Sequence, residues 1–478
     1  GEAGGEVLAV QVLGSHVYGV VNATVPHDDL RAFPMESRVV CVDGRSNPGS
    51  STSNVEGRES CVLLDVRGEV TWDAQRALMI EVVAVVMLLL TSMNFSAIIF
   101  REVVAPVERM AHIVATLSRN PLEPIAAVDL PLTMSKETRS VERALTTFGS
   151  LLQVSFGEAG TKIIQTHMRH GRVDHTFPGK LVQAIFGFCD IRNFTDCTEA
   201  LQGDVVKLVN TVAEIVHEAV VDNHGAPNKN IGDAFLLVWK PKGDLGLCQA
   251  ADCALRSYIR TIVEMCRSKE LLQFAMLESV QGRVPGYQVK MGFGLHFGWA
   301  VEGAIGSKRK IDASYLSPHV NTAARLEAAT KQFGVSILMS EDIFTLFSPA
   351  VQKLCRIIDR VVLKGSARPT RLYTYDVPVL RRIPMPPHNA DPSYFFKKFT
   401  PYTTDEFREQ FTTAVRYYMG GEDGQSTDWP LAQKLLLDCL SKQPRDGPAM
   451  ALLEVMRKES VDGRAPKGWM GYRELTEK

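Results

Sequence analysis

A chain of 478 residues is long for one ordinary domain, and the length prior suggests about three. Hydrophobic residues make up 45% and charged residues 22%, which excludes a largely disordered chain. Lys+Arg 53 against Asp+Glu 54 gives a formal net charge of -1, which excludes a protein that coats nucleic acid through excess basic charge; no nucleic acid is expected as a partner.

In chain order, residues 1–79 come first. Cys41 and Cys61 lie there in a Ser/Gly/Asn-rich stretch where a disulfide can clip a loop, and Asn22-Ala23-Thr24 is a glycosylation sequon. Starting at Gly1, the chain reads as a piece or a processed form, and this segment as the extracellular part of a larger sensor. Val82 to Phe100 carries no charge and is bracketed by Glu81 and Arg101. Such a run rises about 28 Å as a helix, close to the roughly 30 Å hydrocarbon core, so residues 80–100 are expected to cross a lipid membrane once. A buried core helix is the alternative. Basic residues flank both ends, so charge bias does not orient the span.

Val103, Val107, Met110, Val114 and Leu117 recur at helical spacing and give one apolar face. The stretch resembles the first helix of a HAMP-type signalling linker, and equally a plain juxtamembrane helix. A second helix is expected from about Lys136 to His170, so that 101–179 form a helical transducing linker. From 180 the pattern changes to strands alternating with helices. Strands are expected at Leu181–Cys189, Ile231–Trp239, 289–297, Ala300–Ile305, Val335–Met339, Ile357–Leu363 and Arg371–Asp376. Helices are expected at Asp204–Asn223, Leu245–Phe274, Val320–Phe333 and Glu341–Leu354. This order predicts an α/β sandwich, helices over a mixed sheet, across 180–380. Helical blocks at Glu406–Met419, Pro430–Gln443 and Pro448–Glu459 predict a small all-α, TPR-like tail over 381–478.

Four short segments carry chemistry. Phe188-Cys189-Asp190-Ile191-Arg192-Asn193-Phe194-Thr195 sets a carboxylate at a strand end, before a turn whose amides can face phosphates. Lys229-Asn230-Ile231-Gly232-Asp233 sets a second carboxylate at a Gly-containing turn. If the strands are neighbours, Asp190 and Asp233 converge, and two carboxylates suit hard divalent ions also held by triphosphate oxygens and water. From Ser314 to Glu327 the chain is expected to run from a loop into a helix that shows Asn321 and Arg325, four apart, on one face. Val361-Val362-Leu363-Lys364-Gly365 ends a strand with a cation. Gly292-Phe293-Gly294 reads as a strand rather than a dinucleotide fingerprint, and His167, His170 and His175 as surface residues.

In this order and spacing the segments resemble the catalytic domain of class III nucleotidyl cyclases, most like membrane-bound adenylyl cyclases of algae and protists. The span, the ERM…NPL stretch and the ending GYRELTEK add to that resemblance. It implies a ferredoxin-like sandwich that dimerises head-to-tail, with sites between two catalytic domains. It further implies that Asp190 and Asp233, with the Ile191 carbonyl, hold two Mg2+ or Mn2+ per site, and that Lys229 and Ser314 select the purine. Asn321 orients the ribose, Arg325 stabilises the transition state, and Lys364 binds phosphate beside the amides of Phe194 and Thr195. Trp299 follows His296-Phe297-Gly298 where some members carry an Arg. Lys229 only donates, which suits adenine N1, whereas guanylyl cyclases typically carry Glu there and Cys at the Ser314 position. The expectation is an adenylyl cyclase making cyclic AMP from ATP as a homodimer, single-pass, with its catalytic domain cytosolic. A guanylyl cyclase and a catalytically silent cyclase-like receptor are the alternatives.

Overall fold

The computed structural model describes residues 37–42, 60–65, 67–119, 139–151 except 142, 160, and 179–475 apart from short gaps at 242–245, 308, 367, 379–384, 387–391, 421–425 and 461–462. The Asn22 sequon, the 120–138 stretch, most of 152–178 and His167, His170 and His175 lie outside the described residues. The chain divides into two compact units, 1–109 with 131–138, and 110–130 with 139–478.

In the first unit, β1 (Ser37–Val42) and β2 (Ser60–Asp65) pair antiparallel, and Cys41 stands directly opposite Cys61 in the register. Helix α1 (Arg67–Ile99) begins well before the expected span and runs through it. Phe100–Val104 is one π-helical turn, after which α2 (Ala105–Arg119) continues. The apolar window of this helix is wholly exposed and is long and apolar enough to cross a membrane. Two of its polar side chains bond to its own backbone. Thr91 Oγ1 donates to the carbonyls of Met87 and Leu88 at 2.9 and 3.0 Å, and Asn94 Nδ2 donates to that of Leu90 at 2.9 Å. A segment without water needs that internal pairing.

The second unit is built on β3 (Lys180–Ile191), β4 (Ala226–Ile231), β5 (Ala234–Trp239), β6 (Met291–Ser307), β7 (Lys310–Leu316), β8 (Ile337–Ser340), β9 (Arg356–Leu363), β10 (Thr370–Thr374) and β11 (Arg473–Leu475). The mixed sheet runs β11-β9-β10-β8-β6-β3-β5-β4, with β7 paired to β6. The helices are α3 (Phe194–Leu201), α4 (Val205–Val221), α5 (Leu247–Arg267), α6 (Lys269–Met276), α7 (Glu278–Arg283), α8 (Pro318–Phe333), α9 (Glu341–Phe344), α10 (Pro349–Gln352), α11 (Pro392–Lys398), α12 (Asp405–Met419), α13 (Trp429–Lys442) and α14 (Gly447–Glu459). The expected α/β arrangement of helices on a mixed sheet is observed.

Strand alternation decides which face sees the site. Ile185, Cys189 and Ile191 of β3 join the main core beneath α4 and α5, whereas Ala184 and Phe186 join a small second cluster with Val238, Ala300, Tyr315 and Ala323. Asp190, at even register, shares the second face. Helix α8 lies on that face over the glycines of β6. A Cβ on Gly294 would meet the Ala323 carbonyl oxygen at 2.1 Å, and one on Gly298 would meet the His319 ring at 2.2 Å. Gly292-Phe293-Gly294 is therefore a strand that admits a helix closely.

Four expectations are corrected. The segment from Ser314 does not leave a loop; Ser314 sits within β7, because Gly306, at φ 150, lets β6 turn back into a hairpin. The strand expected at Ile231–Trp239 starts later, as β5 at Ala234, because Gly232, at φ 66, turns the chain back from β4, which ends at Ile231. The single helix expected over Leu245–Phe274 breaks at Ser268, whose hydroxyl accepts the Leu271 amide and starts α6. The tail is not all-α: Arg473–Leu475 joins the catalytic sheet as a strand parallel to β9.

Candidate active site

Antiparallel pairing of β3 with β5 puts Asp190 opposite Ala234, so Asp233, the turn residue just before β5, falls beside it. Burial, then the neighbouring Asp233 carboxyl, push the Asp190 carboxyl up to about 7. Asp190 Oδ1 is buried without a hydrogen-bond partner. An orphaned carboxylate oxygen beside a second carboxylate suits a divalent cation, which would remove the repulsion and occupy the vacant lone pair. Among the described residues no three His, Cys, Asp or Glu cluster as a metal site. A cation here would take its remaining ligands from substrate and water.

Around this pair lie charges that the sequence reading passed over. Glu327 of α8 is 4% exposed, and its carboxylate sits 3.4 Å from Arg192 Nη1. Arg192 also donates to the Thr330 hydroxyl. Burial raises Glu327, partly offset by Arg192 and Lys331. A Cβ on Gly292 would meet the ends of both side chains, so the pair would have to shift to admit one. Ile191, at 2% exposure, anchors the loop in the main core, and its next residue is fixed by the Arg192 amide donating to the Lys290 carbonyl at 2.8 Å. Asn193 adopts the left-handed region at φ 55 and opens α3 at Phe194. The first intrahelical bond runs from the Cys197 amide to the Asn193 carbonyl, so the amides of half-buried Phe194 and exposed Thr195 precede the helical ladder.

A second cluster forms on α8 and just past the end of β9. Ser317 caps α8 by accepting the His319 amide at 3.0 Å, and Pro318 occupies its first turn. Exposed Asn321 and half-buried Arg325 follow on that helix. The Arg325 guanidinium lies against Gly365, where a Cβ would sit 3.2 and 3.3 Å from its Nη1 and Nη2. Gly365 has φ 72, and the turn is closed by the Ser366 amide donating to the Leu363 carbonyl at 2.8 Å. Exposed Lys364 is thus presented beside Arg325.

Lys229 and Ser314, expected to select the purine, lie on β4 and β7. Lys229 Nζ on β4 reaches Asp312 Oδ2 on β7 at 3.2 Å, and Ser314 follows two residues on, on the same strand face. Asp312 was not singled out in the sequence, although it stands two residues before Ser314. Trp299 is 40% exposed and sets its edge against His319 at 5.8 Å between ring centroids. One chain therefore gathers the ten candidate residues into three groups: acidic with the α3 amides, basic on α8 and β9, and the Lys229–Ser314 pair.

The family model of the adenylate and guanylate cyclase catalytic domain matches residues 182–377. A model of the all-helical domain of RasGEFs matches residues 66–169, which include the long apolar helix. The adenylate cyclase of Anabaena cylindrica is 29% identical over 189 residues, 39% of this chain and 35% of that protein. The terminal-differentiation specific adenylate cyclase of Dictyostelium discoideum is 26% identical over 191 residues, 39% of this chain and 8% of that protein. The structure of a bacterial light-regulated adenylyl cyclase aligns at a TM-score of 0.41 and 24% identity, covering 52% of this chain and 66% of that one. The chain spans about a third or less of the two curated relatives it matches. It carries a class III adenylate and guanylate cyclase catalytic domain.

Proposed function

We propose that the chain is a single-span membrane adenylyl cyclase that converts ATP to 3',5'-cyclic AMP and pyrophosphate as a homodimer. The observation that carries the reading is the division of the site. Asp190 and Asp233 hold one end of a reaction centre, while Arg325 lies against Gly365, beside Lys364, at another. Two copies arranged head-to-tail bring the acidic group of one to the basic group of the other, which gives two equivalent sites.

Asp190 and Asp233, with the Ile191 carbonyl, would hold Mg2+ or Mn2+. Such ions supply charge neutralisation of the triphosphate and a more acidic ribose 3'-hydroxyl. The rest is done by side chains of the chain itself. Asn321 orients the ribose by hydrogen bonding. Arg325 donates to the α-phosphoryl oxygens as charge grows on them, and Lys364, with the Phe194 and Thr195 amides, holds the departing pyrophosphate. Lys229, steadied by Asp312, donates to adenine N1, while Ser314 accepts from the 6-amino group. Guanine presents a donor at N1, and the unmatched buried group costs about 1–3 kcal/mol.

The long exposed helix, with Thr91 and Asn94 bonded to its own carbonyls, supports the single span. Because ATP is cytosolic, the catalytic domain faces the cytosol and residues before the span face outward. The test is incubation of the full chain with ATP or GTP and Mg2+ or Mn2+, with product identification by mass. Cyclic AMP as the main product is expected. Equal turnover of GTP overturns the purine assignment, and no cyclic nucleotide from either substrate overturns the enzyme in favour of a silent receptor.

A further inference from the structure

The ending GYRELTEK has no place in the chemistry above, yet Gly471, Arg473 and Leu475, three of its five described residues, are held by packing or bonding. Gly471, at φ 77, packs where a Cβ would meet the Met419 carbonyl oxygen at 2.6 Å. Just before it, Trp469 Nε1 donates to the Tyr418 carbonyl at 3.0 Å, and its ring meets those of Tyr418 and Trp429. Thus fastened to α12 and α13, the chain enters β11. There Arg473, Glu474 and Leu475 pair in parallel with Val361, Val362 and Leu363. The last pair stands one residue before Lys364.

Arg473 does more than pair. Its Nε donates to Asp359 Oδ2 at 2.9 Å, and the Asp359 side chain is fully buried within β9. Its guanidinium also lies over the ring of Phe333, 5.4 Å from the centroid, at the last residue of α8. One side chain from the tail therefore touches the strand that ends in Lys364 and the helix that carries Asn321 and Arg325. Leu475 is 7% exposed and joins the main core with Leu363 and Phe333.

We infer that Arg473 and its strand form a strap that positions the phosphate end of the active site, holding the Lys364 end of β9 in register with α8. Arg473 is a positioning residue; it acts through β9 and α8. The inference rests on the reading of Lys364 and Arg325 as phosphate residues. An edge strand ending beside Lys364 has one unpaired side until β11 covers it, and a buried Asp359 without its cation drives the strand to rearrange. Displacement of about 1 Å at a group that meets the triphosphate is enough to lower turnover up to about a hundredfold. The purine pair on β4 and β7 lies away from β11 across the sheet order, so its selectivity is independent of the strap.

The experiment compares the full chain with Arg473→Ala, with Arg457→Ala as a control on the exposed face of α14, where Arg457 pairs only with Glu454. A double variant, Asp359→Asn/Arg473→Gln, removes the ion pair without leaving a buried charge and serves if Arg473→Ala does not fold. Three quantities are read: hydrogen exchange of 356–366 against 226–239, inhibition by inorganic pyrophosphate, and the ATP-to-GTP preference. The strap predicts exchange about tenfold faster in 356–366 alone. It also predicts pyrophosphate inhibition and kcat/KM weakened about 10–100-fold with unchanged purine preference. Wild-type exchange and pyrophosphate inhibition in a folded variant overturn it. So does a loss spread equally over 226–239 and the purine preference, which marks general loosening. If the unaltered chain makes no cyclic nucleotide, the proposed function fails, and exchange at 356–366 still decides the strap.

Discussion

Arg325 rests its guanidinium on a glycine that no other residue can replace without strain. An Ala at position 365 would have to hold φ 72 and place its Cβ 3.2 Å from Arg325 Nη1. The left-handed backbone alone costs roughly 1–2 kcal/mol in a residue with a Cβ. Gly365→Ala is therefore expected to lower cyclase turnover by moving Arg325, with a fall in thermal stability too small to explain the loss. Arg325→Ala should lower turnover by about 10²–10³-fold with dimers intact, as for a lost electrostatic donor. Steady-state kinetics alongside a melting curve separates the two effects. A near-wild-type turnover in Arg325→Ala removes it from the mechanism. His296 makes a different prediction. It is 4% exposed, with Nδ1 2.6 Å from Ser340 Oγ and Nε2 2.8 Å from His319 Nδ1, while Asp342 stands 3.7 Å away. Burial, then the His319 charge, depress it to about 3. A His with a lowered folded value is neutral when folded but protonates once unfolded. Its stabilising contribution is thus present above the unfolded value of 6.5 and lost as pH falls toward 3. Between pH 6.5 and 5 the loss should be about 1–2 kcal/mol. His296→Gln should flatten that slope in chemical denaturation, and an unchanged slope would assign it to other groups.

Among elements, β9 and the tail are joined at a buried cation. Arg356 of β9 is 2% exposed and bonds Asp376 through Nε and Nη2 at 2.8 and 3.0 Å. Its Nη1 reaches Asp446, the N-cap of α14, at 3.2 Å, and its plane lies 4.5 Å from the Phe411 centroid of α12. Removing one member of such a group strands the others. Arg356→Met is expected to destabilise the catalytic domain by about 3–5 kcal/mol in denaturant titration. The triple change Arg356→Met/Asp376→Asn/Asp446→Asn should recover most of this, because Asn still caps α14. No recovery would show that packing, not charge, sets the loss. The hairpin β1–β2 yields a further test. Cys41 and Cys61 are register partners in an antiparallel pair, where Cα atoms stand about 4.5–5.5 Å apart, within the range of a disulfide. A linked peptide in a non-reduced digest is expected, and two alkylated thiols would exclude it. These elements also show where sequence was legible. Asp190 and Asp233 could be read because one closes the apolar run of β3 and the other immediately precedes the apolar run of β5. The strand Arg473–Leu475 could not, because three residues carry no alternation and gain their conformation from the edge of β9. The Glu327–Arg192 pair stayed hidden although both residues lie inside the quoted segments. Only the approach of α8 to Gly292 makes them neighbours.

At the scale of the whole molecule the proposed dimer assigns the acidic and basic groups of one chain to different sites, and this makes it testable without any measurement of its size. In Asp233→Asn every dimer has two sites that lack a metal carboxylate. In Arg325→Ala every dimer has two sites that lack the guanidinium. Each variant alone should show little turnover. When both are expressed together, a mixed dimer holds one site with both defects and one site with neither. If the copies pair at random, half of the dimers are mixed and half of their sites are intact, so activity should return to roughly a quarter of that of the unaltered protein. A site built within one chain leaves both variants dead in any mixture, because no partner can restore a missing group in cis. Return of activity on co-expression, and its absence when separately purified dimers are mixed too briefly to exchange subunits, is the expected pair of results. The Lys229–Asp312 pair adds a check on orientation. If the Lys229–Ser314 pair serves the same site as Arg325 of its own chain, Lys229→Ala should complement Asp233→Asn and fail to complement Arg325→Ala. The reverse pattern would move the purine pair to the metal side and redraw the interface.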